Sequence, residues 1–171
     1  MRLSILFAVF LLIGGNSFAA KEANKFQFFS TALKDGQALS AKYSCLENDI
    51  NPSIELRNIP DKTRTFAITV VSPDAPEGTW VHWVVYNIDA ATKMIKEGAV
   101  IGTPLFNDFG KFGYNGPCPN DNKEHHFVFT VYAMNSKVDV IEGGILKDFE
   151  KAMRGKVLAQ SSITVSFRKP S

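Results

Sequence analysis

Five stretches of the chain carry apolar residues in the manner of extended strands, and one repeats them at the period of a helix. β-Branched and aromatic residues dominate Phe26 to Phe29, Thr65 to Val71, Val81 to Ile88, Phe127 to Met134 and Ser162 to Phe167, and mixed polar connections separate them, which predicts five strands. In the fourth, Phe127, Phe129, Val131 and Ala133 share one face, and Val128, Thr130, Tyr132 and Met134 share the other. With both faces this apolar, that strand belongs inside a sheet covered on both sides. From Ile145 to Ala159, apolar residues recur at three- and four-residue steps, which predicts an amphipathic helix preceded by Gly143-Gly144. Gly155 is placed to split that helix or to end it early. No repeat, low-complexity tract or Gly-, Pro- or Ser-rich linker divides the chain. Non-local strands with one late helix predict a mainly β fold, an antiparallel β-sandwich with a C-terminal helix and short helical additions.

A length of 171 residues suits one domain with a full core, and Phe alone supplies 14 of them. The N-terminus is set apart from that core. Arg2, the apolar run Leu3 to Ile13, and small residues Ser17 and Ala19 before a cut after Ala19 are laid out like a secretory leader over residues 1–19. The run is too short to span a bilayer, which needs roughly 20 helical residues. An N-terminal membrane anchor is the alternative, and no cysteine follows the run to make a lipoprotein. The mature chain, residues 20–171, is then a single domain without a transmembrane span, in the periplasm or secreted. Without Arg2 it holds 18 basic against 17 acidic residues and no basic tract, which argues against nucleic acid as a partner.

Export carries Cys45 and Cys118, the only cysteines, into a compartment where disulfides persist. Either they join, closing a loop of about 70 residues worth on the order of 4 kcal/mol, or they remain two thiols. Two cysteines without close pairing do not make a strong zinc site.

The candidate chemistry gathers in two stretches. "SPDAPEGTWVHWVVYNI", Ser72 to Ile88, breaks a strand at Pro73-Asp74-Ala75-Pro76 and returns at once to a strand carrying His82. Alternation puts Trp80, His82 and Val84 on one face and Val81, Trp83 and Val85 on the other. His82 thus either lines a pocket beside an aromatic wall or is a core histidine bonded to a backbone carbonyl. Asp74, held between prolines, either orients an imidazole or a ligand ammonium, or simply caps its turn. The second stretch, "FNDFGKFGYNGPCPNDNKEHHFVF", spaces Gly110, Gly113 and Gly116 among aromatics and matches neither a Walker loop nor a dinucleotide fingerprint. It reads as a long structured loop, of the kind that often carries function. His125 and His126 open the strand after it with side chains on opposite faces, so at most one shares a pocket with His82.

Taken together, "YSCLENDINPSIEL", "SPDAPEGTWVHWVV", "NDFGKFGYNGPCPN" and "HHFVFTVYAM" resemble, in order, the motifs of the phosphatidylethanolamine-binding proteins, also called Raf kinase inhibitor proteins, in their bacterial branch. "FEKAMRGKVLAQSSITVSF" is similar to the family's C-terminal end, so the resemblance covers nearly all of the mature chain. It implies a sandwich of two antiparallel sheets with a small anion pocket at one end of a sheet, taking phosphate, acetate or a phospholipid head group. Carried over residue by residue, it places the pocket on Asp74, Pro76, Trp80, His82, Pro119 and His125. Three departures bear on specificity. Ser72 replaces the usual first Asp, Asn120 and Asn122 replace a proline and a glycine of the loop, and His126 and Phe127 replace an Arg and a Tyr.

The reading is a non-enzymatic binding protein without cofactor, whose His82 and His125 hold a phosphate-like anion or a phospholipid head group. An interaction protein inhibiting a kinase or protease, its partner unknown, is the second reading. A serine hydrolase through Ser72 lacks a Gly-x-Ser-x-Gly elbow. A metal site of Asp74, His82 and His125 has the right residue types, but the resemblance implies an anion there and no metal.

Overall fold

The computed structural model describes residues 25–76 and 78–170. The leader predicted over residues 1–19 lies outside them.

The strands are β1 (Gln27–Phe29), β2 (Ile54–Arg57), β3 (Thr65–Ser72), β4 (Trp80–Asp89), β5 (Met94–Ile95), β6 (Thr103–Pro104), β7 (Glu124–Met134) and β8 (Val157–Arg168), with helix α1 (Leu146–Ala152) before the last of them. They form two antiparallel sheets, β1-β2-β5 and β6-β4-β3-β7-β8.

The five-stranded sheet is apolar on both faces because each face meets a different layer. One face packs against the small sheet: Phe66, Ile68, Val70, Phe129 and Val131 meet Phe28, Ile54, Leu56 and Ile95 in one cluster. The other face, through Ala67, Val84, Tyr86 and Met134, meets Phe149 of α1. Fully burying each of these large side chains contributes about 1.5–3 kcal/mol. The two-faced pattern of β7 has this origin, since β7 lies between β3 and β8 with a layer on either side. Phe127, Phe129, Val131 and Ala133 face the small sheet, while Tyr132 and Met134 face the helix.

The helix is shorter than its period predicts. It begins where the Asp148 carboxylate reaches back to accept the Ile145 N–H at 3.1 Å, and it ends at Ala152, with Met153 as its cap. Gly155 then takes φ +72°, a left-handed conformation that turns the chain into β8. Val157 and Leu158, which continue the helical period, are strand residues. Val157 packs on the same apolar cluster as α1, and this shared burial gives the sequence its misleading rhythm.

Strict alternation also fails along β4. Val70 pairs with Trp83 and Val71 with Val81, so His82 is an extra residue in the ladder. Val81 and Val84 therefore both face the helix layer, while Trp83 and Val85 face the small sheet. A second irregularity, between the pairs Phe66–Ile88 and Ile68–Val85, is absorbed near Asn87, whose φ is 55°.

Cys45 and Cys118 are bonded, with Cα atoms 5.4 Å apart across 73 positions of sequence. Closing a loop of that length removes on the order of 4 kcal/mol of unfolded-chain entropy.

Candidate functional site

The two halves of the site meet where the central ladder runs out. β3 stops at Ser72 because Pro73 cannot donate to a ladder. β7 begins at Glu124, and its first residues have β8 on one side and, among the described residues, no strand on the other, the ladder to β3 ending at the pair Val71–Val128. The Asp74 carboxylate takes over part of the role that β3 leaves. It accepts the His126 backbone N–H at 3.1 and 3.2 Å, the His126 ring Nδ1–H at 2.8 Å and the Ser72 hydroxyl at 3.0 Å. Burial alone would raise the Asp74 pKa, but these hydrogen bonds from His126 and Ser72 outweigh it and hold the carboxyl below its ordinary value.

Between this turn, the bulge of β4 and the long loop lies a cavity of about 160 Å³. It is lined by Ser72, Ala75 and Pro76 of the turn, Trp80 and His82 of β4, Phe109, Cys118, Pro119 and Asn120 of the long loop, and His125 and Phe127 of β7.

His82, only 3% exposed, sits in this cavity because it is the bulged residue. Its ring lies edge-on to Phe109 and Phe127, with centroids 5.3 and 5.1 Å away. Its Nδ1–H donates to the Asn115 carbonyl at 2.8 Å, and the Asn115 N–H donates back to the His82 carbonyl at 3.1 Å. Nδ1 thus carries the proton of the neutral ring, leaving Nε2 as the nitrogen that is neither bonded within the protein nor sealed from solvent among the described residues. Burial pushes the His82 pKa below 6.5, against the pull of the Asn115 carbonyl.

A buried amide network holds Asn115 in place. The Asn107 side chain donates to Asn115 Oδ1 at 2.8 Å and to the Gly113 carbonyl at 3.1 Å, while its own oxygen accepts the Phe109 and Lys111 N–H groups at 3.0 and 3.1 Å. Asp49 accepts the Asn115 side-chain N–H at 3.1 Å and the Gly116 backbone N–H at 2.6 Å. Gly116 passes so close to the preceding segment that a Cβ would lie 2.0 Å from the Tyr43 carbonyl oxygen.

His125 turns toward carboxylates. Its Nε2 lies 2.7 Å from Asp121 Oδ1, and its Nδ1 lies 3.9 Å from Asp74 Oδ1. The bond to His125 holds the Asp121 carboxyl below its ordinary value. His126 points the other way and is exposed.

The structure thus brings Pro76, Trp80, His82, Pro119 and His125 onto one cavity. Asp74 is not on the lining; it caps the start of β7 through His126 and also lies 3.9 Å from the ring of the cavity histidine His125. The arrangement gives one imidazole nitrogen on a mostly apolar surface, able to accept a hydrogen bond when neutral and to donate one when protonated. The Ser72 hydroxyl donates to the Asp74 carboxylate at 3.0 Å. Among the described residues no three His, Cys, Asp or Glu side chains converge as metal ligands. Sequence reasoning missed Asn107, Asn115 and Asp49 as supports and Phe109 as a wall. The dense glycines of the loop pointed to the region without singling out these residues.

Comparison with known proteins gives a consistent picture. The family description "phosphatidylethanolamine-binding protein" matches residues 29–168. The chain is similar to a UPF0098 protein of Pyrococcus horikoshii, 33% identical over 163 residues that cover 90% of this chain and 82% of that one. A UPF0098 protein of Aquifex aeolicus is 37% identical over 145 residues, 80% of this chain and 85% of that one. Among solved structures, a phosphatidylethanolamine-binding protein homologue from Chlamydia trachomatis superposes with a TM-score of 0.80 at 30% identity, covering 86% of this chain and 99% of its own. E. coli YbcL, a member of the mammalian PEBP family, gives 0.77 at 28% identity, covering 85% and 99%.

Proposed function

The chain belongs to the phosphatidylethanolamine-binding protein family, and on that premise we propose that it is a non-enzymatic binding protein whose cavity takes a small phosphate-like anion or a phospholipid head group. Residues 20–171 act as one exported domain in the periplasm or outside the cell. A disulfide persists in such compartments, and no helix among the described residues is long and apolar enough to cross a membrane.

The observation that carries the reading is the free Nε2 of His82 on an otherwise mostly apolar cavity. An anion entering there makes protonation of Nε2 favourable, because the charged ring then donates to it at short range in a poorly solvated place. Trp80, Phe109 and Phe127 line the cavity with aromatic surface, and Pro76 and Pro119 also line it. Both Asp74 oxygens are occupied by His126 and Ser72, so Asp74 is not free to pair with the imidazolium. His125 completes the lining, and Asp121 fixes its ring.

The test is a titration of the protein with inorganic phosphate and with phosphorylethanolamine, followed by ligand-observed NMR, beside His82→Ala. Saturable binding that the substitution removes is the expected result. Equal binding by both proteins would place the ligand elsewhere and overturn the assignment.

A further inference from the structure

We propose that the Cys45–Cys118 bond is a thiol-exchange site on the cavity wall, through which a dithiol reductant loosens the cavity's grip on its anion. The inference rests on the binding reading above for its ligand and on separate geometry for its mechanism.

Three observations combine. Cys45 and Cys118 are both exposed, so a thiolate can approach the bond from solvent. Cys118 is itself part of the cavity lining, between the buried Pro117 and the wall residues Pro119 and Asn120. The loop is anchored unevenly on the two sides of the bond. Before it, Asn115 and Gly116 are held by Asp49, Gly116 lies against Tyr43, the Pro117 carbonyl accepts the Cys45 N–H at 3.2 Å, and the Tyr114 hydroxyl donates to the Tyr43 carbonyl at 2.8 Å. After it, among the described residues, segment 118–123 has two bonded connections to the rest of the fold: the disulfide and the contact between Asp121 and His125.

The chemistry balances with a dithiol as the named reductant. One thiolate of the dithiol attacks a sulfur of the bond, the S–S bond breaks, and the departing cysteine thiolate takes up a proton. The second thiol of the reductant then displaces the first cysteine from the mixed disulfide, and that cysteine is protonated in turn. Two electrons and two protons pass to the protein, and the reductant leaves as its own disulfide.

The anchoring decides what reduction changes. Asn115 and Gly116 stay in place, so His82 keeps its tautomer and its carbonyl partner. Segment 118–123 loses one of its two ties, so Pro119 and Asn120 are held less firmly on the lining, and so is the contact of Asp121 with His125. The reduced protein keeps its fold with a looser cavity lining.

The experiment compares the oxidised protein, the same protein in excess dithiothreitol with its thiols counted, and the Cys45→Ser/Cys118→Ser double variant. Each is titrated with inorganic phosphate by calorimetry, and amide hydrogen exchange is followed along the chain. The expected result is phosphate affinity at least about tenfold weaker on reduction and in the double variant, with faster exchange confined to 118–123. The double variant should not respond to dithiothreitol. Unchanged affinity and exchange with two thiols counted, a bond that excess dithiothreitol leaves intact, or loss of the whole fold would each overturn the proposal. If the oxidised protein takes no phosphate, the binding reading itself fails, and unchanged exchange in 118–123 would then overturn the loosening as well.

Discussion

His82 and Asn115, 33 positions apart, hold each other by a reciprocal pair of hydrogen bonds, the imidazole Nδ1–H to the Asn115 carbonyl at 2.8 Å and the Asn115 N–H to the His82 carbonyl at 3.1 Å. The pair joins the bulge of β4 to the glycine-rich loop and decides which ring nitrogen faces the cavity. His82→Phe keeps a planar ring against Phe109 and Phe127 but leaves the Asn115 carbonyl without its donor. The expected loss is about 1–3 kcal/mol, read from urea unfolding, together with loss of phosphate binding.

Protonation of His82 gives stability a definite pH dependence. Its folded pKa lies below 6.5, so the unfolded chain binds the proton more readily. The stabilisation from keeping the ring neutral is therefore present above pH 6.5 and is lost as pH falls from there toward the lowered folded value. Thermal unfolding between pH 7.5 and 5 should show a decline in Tm that is smaller in His82→Phe. An equal decline in both proteins would assign the effect to other groups.

Much of the fold was legible because its strands announce themselves by composition. The alternation in Phe127–Met134 correctly implied a strand with a layer on each face, since each face meets a separate apolar cluster. Ile54 and Leu56 of β2 also alternate with Glu55 and Arg57, but four residues are too few to stand out. The helix was overdrawn because Val157 buries itself on the same layer as Phe149 although it belongs to a strand. The extra residue at His82 was invisible because a bulge depends on the register against β3, a non-local property. Of the residues named by the resemblance, Pro76, Trp80, His82, Pro119 and His125 lie on one cavity, while Asp74 is not on its lining. The grip of Asp74 on His126 depends on where β3 stops relative to β7, and no motif states that.

Gly116 is a steric requirement of the loop. A Cβ there would sit 2.0 Å from the Tyr43 carbonyl oxygen and 2.8 Å from the Ser44 Cα, both backbone atoms that cannot swing aside. Gly116→Ala should cost about 3 kcal/mol by forcing the two segments apart. Calorimetric unfolding measures the loss, and a Tm unchanged from the parent protein would contradict this packing.

Asp74 and His126 differ in what their removal exposes. Asp74→Ala leaves the His126 N–H and the Ser72 hydroxyl without their acceptor and should destabilise by about 1 kcal/mol or somewhat more. His126→Ala keeps the backbone bond to Asp74 and removes an exposed contact worth roughly 0.5 kcal/mol. Chemical denaturation of both variants should preserve that order, and the reverse order would show that the ring contact matters more than the cap on β7.

The most direct test of the account is the titration of the His82 imidazole itself, followed by its ring resonances in NMR with and without saturating inorganic phosphate. The expected result is an apparent pKa below 6.5 in the free protein and a clear rise on adding phosphate, as the bound anion holds the proton on Nε2. A His82 titration that phosphate leaves unmoved, in a protein that binds phosphate, would show that this nitrogen does not hold the anion.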